Sequence, residues 1–428
     1  MARKAVAASK KVKKDKDKDK KKSEVLMSVA DGMAKLSKSF GTTPADQVWD
    51  YVPFIDVTKN RPCLPLEYVF GTKGLVTGRV YQFISPEAAG KSSMLLMFIG
   101  MAQRAGGCWS KVYESENTKP QAAYVEAMGC EAKNVIIETP TCVDDFVNDA
   151  AKFVKEIRAN IDTEEVHPII LGLDSLNGLG ITNADDDDEE DAGGDRSKGI
   201  HARKMSEFFR ETYRTGIADK RTVLFVVSQA KQTINITAPG AKKKPDGDGT
   251  STLADKPLRF HCSARIELTH ARNYIEKERR YDGEIVTMTL IKNKLGMPNR
   301  RVKTLMHGTD ELAPGVPVWD WDKATIDLLF GHTNPDPKKF TTTGNGWYSH
   351  PELKKGGNMQ MQEFLDQFFA HPTLINSVRE SWRIYGFGFE FEERFKRNAS
   401  ATEGEDETDT ADFDSVVAAA AALPEHGK

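Results

Sequence analysis

Residues 80–93 read VYQFISPEAAGKSS, an apolar stretch that breaks into a glycine, a lysine and two serines. That order suits the binding of a phosphate chain. Backbone N–H groups of a loop that runs into a helix N-terminus can wrap phosphate oxygens. Gly90 lets the backbone come close, Lys91 brings a point charge to the outer phosphates, and Ser92 offers a hydroxyl to Mg²⁺. The expected phosphate-binding set is Ser85, Pro86, Glu87, Ala88, Ala89, Gly90, Lys91, Ser92 and Ser93. The pattern G-x-x-x-x-G-K-[ST] is missed at one position, because Ser85 stands at the first glycine. A G-K-S triplet alone is a weak signal; the strand before it and the helix after it give it weight. A second apolar run, PIILGLD, ends in Asp174. Strand ends face the ligand crevice in parallel α/β sheets, so Asp174 is expected to share the metal with Ser92. By itself an apolar run ending in Asp reads more often as a cap.

These residues need a sheet to position them. From about residue 60 to 310, apolar runs (VYQFI, VIIE, PIILGLD, TVLFVVSQ) alternate with amphipathic stretches (SSMLLMFIGMAQRAG, CVDDFVNDAAKFVKEIRAN, HARKMSEFFRETYRTG). Continuous apolar strands between helices indicate an α/β fold, with a mainly parallel sheet covered on both faces. SARIELTH and GEIVTMTLIKNK read as antiparallel strands added to it. Residues 232–257 are polar and rich in Gly and Pro, a long loop of the kind that carries function. The expected organisation is a basic disordered tail (1–23), an N-terminal helix and linker packing on a neighbouring subunit (24–59), a phosphate-binding core (60–316), a small C-terminal α/β domain (317–397) and an acidic tail (398–428).

Composition narrows the class. The net charge of -3 hides a lysine-rich head, the run DDDDEED at 185–191 and an acidic tail. No apolar run approaches the roughly 18 residues that a membrane span requires. The five cysteines are odd in number and form no C-x-x-C pair, which argues against a disulfide framework or zinc site and for a reducing, cytoplasmic compartment.

Taken in chain order, these stretches resemble bacterial RecA and its phage-encoded relatives over about residues 25–395. SPEAAGKSS is similar to the family's GPESSGKTT, YESEN to its DAEHA, and LIKNKLGMP to its VVKNKIAAP. VVSQAKQ resembles the family's strand-end glutamine segment, and PLRFHCSAR the strand closing its second DNA-binding loop, with Phe260 at the coupling aromatic. GWYSHPELKKGG resembles the start of the small C-terminal domain. The resemblance implies a P-loop ATPase core using ATP and Mg²⁺. Glu116 would polarise the attacking water, with Glu114 as rival, and Gln229 would sense the γ-phosphate. Lys292 and Lys294 would reach a neighbouring subunit's ATP, and Tyr124 joins the nucleotide-binding set.

Two loops, about 178–198 and 232–257, would line a filament axis. After the first, Gly199, Arg203, Ser206 and Arg210 recur at helical spacing and form one stripe, suited to a phosphate backbone because Arg donates in a planar fork. An ordinary solvated helix face gives the same pattern. Lys242, Lys243 and Lys244 add charge in the second loop. Ala254 and Asp255 stand where relatives carry a glycine pair, and DDDDEED should repel phosphates. The expected function is Mg-ATP-dependent filament formation on single-stranded DNA, then pairing with homologous duplex and strand exchange. Loader or single-strand-binding proteins are further expected partners, and a phage origin is compatible with the divergence. The alternatives are a hexameric helicase on the same core, or a DNA-binding recombination mediator that hydrolyses ATP poorly.

Overall fold

The computed structural model describes residues 51–116, 119–160, 167–180, 195–218, 221–232, 250–276, 281–309 and 313–384. The basic tail, the expected N-terminal helix, DDDDEED, Lys242, Lys243, Lys244 and the acidic tail lie outside the described residues.

β1 (Tyr51–Pro53), β2 (Ile55–Asp56), β3 (Arg61–Pro62) and β4 (Gly74–Val76) come first; β1 pairs with β4 and β2 with β3. Part of the segment read as a linker to residue 59 is therefore strand packed on the core. The centre of the sheet is built by β5 (Val80–Ser85), β6 (Trp109–Glu114), β7 (Val135–Glu138), β8 (Ile169–Asp174) and β9 (Thr222–Gln229). They lie parallel in the order β5-β9-β8-β6-β7. Residues Thr222 to Ser228 of β9 are all buried, as expected for a strand covered on both faces.

Side chains alternate between those faces. Phe225 and Phe83 stack with Phe98 of α2 (Lys91–Arg104), ring centroids 5.3–5.9 Å apart. Leu224, Val226, Leu171 and Leu173 join Tyr113, Phe146, Phe208 and Phe209 on the other side. The helices there are α4 (Val143–Asn160) and α5 (Asp195–Phe208). In chain order, α1 (Leu64–Phe70) precedes α2, and the short α3 (Ala122–Ala127) precedes α4. α5 continues as a π-helix over Phe209–Ile217, and it starts at Asp195, so the first loop ends before the expected Lys198.

After β9, β10 (Lys231–Gln232) pairs with β11 (Thr250–Ser251), which closes the base of the second loop. α6 (Asp255–His261) follows where the sequence suggested strand. Helix wins because Leu258 and Cys262 are four apart and fully buried, Arg259 pairs with Asp255 one turn back, and Pro257 falls in the first turn, where no N–H is needed. α6 returns the chain to the start of β5, where Ser263 N donates to Val80 O. β12 (Ala264–Glu276) therefore runs parallel to β5, from Ala264 beside Tyr81 to Glu267 beside Ile84. Its other neighbour, β13 (Tyr281–Asn293), is antiparallel, as are β14 (Arg301–Thr309) and β15 (Ala313–Asp320). SARIELTH is thus antiparallel on one side only.

β15 runs through the boundary expected at 316/317. α7 (Asp322–Phe330) leads to a small sheet of β16 (Thr341–Gly344), β17 (Trp347–Ser349) and β18 (Met359–Gln360), packed by α8 (Met361–Phe369) and α9 (Pro372–Ser381). Phe330, Phe340, Tyr348, Phe364 and Phe368 fill its core. Arg379 grips the buried Glu67 of α1 through two 2.7 Å hydrogen bonds, and Arg61 and Lys59 pair with Asp322.

Candidate active site

Strand register brings the candidate residues to one edge. Ser85 lies beside Gln229, and Glu114 beside Asp174, all at carboxyl ends of parallel strands. This is the edge where open α/β sheets bind ligands.

The loop between β5 and α2 turns sharply through two residues in the left-handed region. Gly90 takes φ 82 and Ala88 φ 57. A methyl group on Gly90 would come within 2.7 Å of the Trp319 ring and 2.9 Å of Met306 Sδ, so only glycine fits. Trp319 Nε1 donates to Ser93 Oγ (3.2 Å), and Ser93 Oγ donates to Gly90 O (2.9 Å). Ser93 thus braces the turn from behind. Pro86, Glu87, Ala88 and Ser92 are exposed, and Ala89 is buried. The Lys91 ammonium donates to Pro86 O (2.6 Å) and Ser85 Oγ (2.8 Å), so the loop curls around a positive charge. Ser85, the departure from the glycine pattern, supplies one of those acceptors. Burial pushes the Lys91 pKa down, while Asp174, Glu116 and Glu87 oppose the shift.

Asp174 carries the clearest electrostatic signature. Burial pushes its carboxyl up to about 6; the Ser92 hydrogen bond opposes this, Glu116 and Glu114 add to it, and Lys91 opposes it. A carboxylate disfavoured by burial and by two like charges, beside an exposed hydroxyl, is a hard oxygen donor set that a divalent cation relieves. Ser92 and Asp174 therefore fit Mg²⁺. The carboxyl is ionised above about 6 and protonated below it, and a proton there competes with the cation. The apparent affinity of the site for Mg²⁺ is expected to fall by up to about tenfold per pH unit below pH 6. Mg²⁺ binding titrations at pH 5, 6 and 7 measure this, and an affinity flat across that range would remove Asp174 as a candidate ligand.

Glu116 is exposed at the mouth of the site, whereas Glu114 is buried and accepts the Glu116 N–H at 2.9 Å. Ser175 Oγ donates to Glu116 Oε1 (2.8 Å), and Gln229 Nε2 reaches the same oxygen at 3.4 Å. Asn177 Oδ1 accepts the Gln229 backbone N–H (3.0 Å), and Ser115 Oγ donates to Ser175 O (2.5 Å). Ser175, Asn177, Trp319 and Met306 are signalled by no motif, and Ser115 lies inside YESEN with no role assigned to it; Ser175 and Asn177 could be suspected only as polar residues just past a strand-end Asp. Tyr124, half-buried on α3, has its hydroxyl pKa raised by burial, with a Ser93 hydrogen bond opposing and the Asp174 charge adding to the rise. It therefore stands beside the loop.

Lys292 and Lys294 are not part of this cluster. Lys294 N donates to Ser263 O and Ser263 N to Val80 O, so Lys294 sits level with the start of β5, whereas Lys292 lies level with Gln82 through Arg265. Those levels are about 17 Å and about 10 Å along the strand from Ser85, respectively. Their ammonium groups bind carbonyls at the end of α6: Lys292 to Arg259 O, and Lys294 to Phe260 O at 3.2 Å. Cations there complement the helix dipole. Phe260 is 74% exposed beside them.

On α5, Gly199, Arg203 and Arg210 are exposed and Ser206 is half-buried. The α-helical stripe holds through Ser206; Arg210 lies in the π-helical continuation and donates to Ser206 O (3.2 Å). His201 anchors this helix to the start of the first loop through Leu179 O (2.9 Å).

Among known proteins, the family model described as the RecA N-terminal domain matches residues 28–310. The chain is 23% identical over 375 residues to Protein RecA of Lactobacillus delbrueckii subsp. bulgaricus, covering 87% of this chain and 90% of that protein. A second strain's Protein RecA is 25% identical over 364 residues, covering 85% and 97%. Protein RecA of Thermus thermophilus is 23% identical over 343 residues, covering 79% and 86%.

Proposed function

The chain belongs to the RecA family, and from that premise we propose that it hydrolyses Mg-ATP to drive filament formation on single-stranded DNA, homologous pairing and strand exchange. The observation that carries this reading is the contact of Gln229 with Glu116. It joins a candidate water-activating carboxylate to a glutamine three residues before the long polar loop that would meet DNA.

Lys91 and the backbone of residues 85–92 bind the triphosphate and spread its charge over fixed donors. Ser92 and Asp174 hold Mg²⁺, which when bound offsets charge on the outer phosphates. Glu116, oriented by Ser175, accepts the proton of the attacking water. Gln229 follows the γ-phosphate, and loss of that contact relaxes the second loop. Lys292 and Lys294 leave the end of α6 and close the site of the adjoining protomer. Arg203 and Arg210 hold the DNA backbone, so base identity matters little and pairing supplies the homology test. Five free thiols suit a reducing compartment. Among the described residues no helix is long and apolar enough to cross a membrane.

ATP turnover measured with and without single-stranded DNA tests the reading. Stimulation by DNA, with joint-molecule formation when homologous duplex is added, is expected; unwinding of a forked duplex without joint molecules would favour the helicase.

A pH effect follows from Lys292. Burial, then the Lys294 charge, pushes its ammonium down to about 8. It is charged below that pH and neutral above it, so assembly through Lys292 must take up a proton at higher pH. Filament-dependent turnover is expected to weaken by about three- to tenfold from pH 8 to 9. Lys292→Arg, which stays charged, should flatten that fall; an unchanged pH profile in this variant would take Lys292 out of the interface.

A further inference from the structure

A buried polar chain beneath the nucleotide edge has none of the roles given above. Gln82 of β5 donates to Ser228 Oγ of β9 (3.0 Å) and to Thr252 Oγ1 (3.3 Å). Arg265 of β12 donates from Nε to Gln82 Oε1 (2.7 Å) and from Nη2 to Asp255 Oδ1 (2.6 Å). Thr252 Oγ1 donates to the same Asp255 oxygen (3.2 Å), and Arg259 pairs with the other. Gln82 and Ser228 are fully buried and Arg265 is 3% exposed.

Two features mark this chain as built. A guanidinium as buried as Arg265 needs a countercharge, and Asp255 supplies it. Ala254, 5% exposed, is held at φ 53 with a side chain that disfavours that region. Such backbone persists where its surroundings over-determine it. The Asp255 carboxylate pairs with two arginines, the buried Arg265 and the exposed Arg259.

The chain also joins places that must move together. Ser228 directly precedes Gln229, the residue in contact with Glu116. Lys231 and Gln232 pair with Ser251 and Thr250, which zips together the two ends of the second loop. Thr252 follows that zip. Asp255 opens α6, whose last carbonyls take Lys292 and Lys294.

We propose that Asp255 is a positioning residue that couples Gln229 to α6: it ties Thr252 and Arg265 together, so that the end of β9, the exit of the second loop and α6 shift as one body. This rests on the nucleotide-driven DNA binding proposed above. When Gln229 changes position, Ser228 and the β10–β11 pair carry the displacement to an exit that is already fixed to α6. Without the carboxylate, α6 is released from Arg265 and the displacement is lost in the loop.

The test uses the full chain and a fluorescent oligothymidylate. Its affinity is measured with and without a non-hydrolysable ATP analogue, for wild type, Asp255→Asn and Thr252→Ala. The analogue should tighten binding by wild type. Asp255→Asn should lose at least about fivefold of that gain, while its KM for ATP and its nucleotide-free DNA affinity stay within about twofold. Thr252→Ala, which leaves both ion pairs in place, should lose about two- to threefold, and it decides the matter alone if Asp255→Asn does not fold. A full gain in the folded variants overturns the proposal. An equal loss of affinity with and without the analogue also overturns it, because a merely structural role predicts that. A wild type that shows no gain at all sinks instead the nucleotide-driven reading beneath it.

Discussion

Glu116→Gln is expected to bind ATP with near-normal affinity and to turn it over about 10²- to 10⁴-fold more slowly. The amide keeps the size of the carboxylate and can still accept from Ser175 Oγ, which lies 2.8 Å from Glu116 Oε1. It cannot take a proton from water. The side chain is exposed, so the change leaves no buried orphan and stability should be unaltered. A loss confined to kcat would mark an interaction made in the transition state. Single-turnover hydrolysis beside an equilibrium binding assay makes the distinction. A variant with wild-type kcat would pass the role to Glu114, whose buried carboxylate holds the Glu116 N–H.

Lys91→Ala should have the other large effect, a loss of about 10³-fold or more in kcat/KM for ATP. Its ammonium is the cation that the 85–90 loop encloses, through Pro86 O and Ser85 Oγ. Removing it takes away charge stabilisation from the outer phosphates and leaves the loop carbonyls to water. Lys91→Arg should recover little, because a planar fork does not fit a cradle formed around a point charge. Thermal melting controls for folding, and full turnover by a folded Lys91→Ala would refute the site assignment.

Much of this site could be read from sequence because it is local. The turn at 85–93 is one contiguous string, and Asp174, Glu116 and Gln229 all sit at or just past ends of apolar strands. A parallel sheet then aligns strand ends without further information. What escaped the sequence depends on distant packing. Trp319 braces Ser93 from 226 residues away, and Arg265 meets Gln82 from 183 residues away. Strand was expected for the α6 segment from the resemblance of PLRFHCSAR to the strand closing the family's second loop; the turn from Asp255 to Arg259 and the burial of Leu258 make it helix. β12 was misread on one side because strand direction depends on the route that α6 takes back to Val80. The π-helical end of α5 has no signature in the arginine spacing that pointed to the stripe.

Lys292 and Lys294 bind carbonyls at the end of α6 rather than the 85–93 loop, and in the proposed reading they close the site of an adjoining protomer. Electron microscopy of the full chain with single-stranded DNA and a non-hydrolysable ATP analogue tests this most directly. Helical filaments on the DNA, with nucleotide at each protomer boundary beside Lys292 and Lys294, are the expected result. Closed rings, or filaments whose nucleotide is bound within one protomer and away from both lysines, would contradict it.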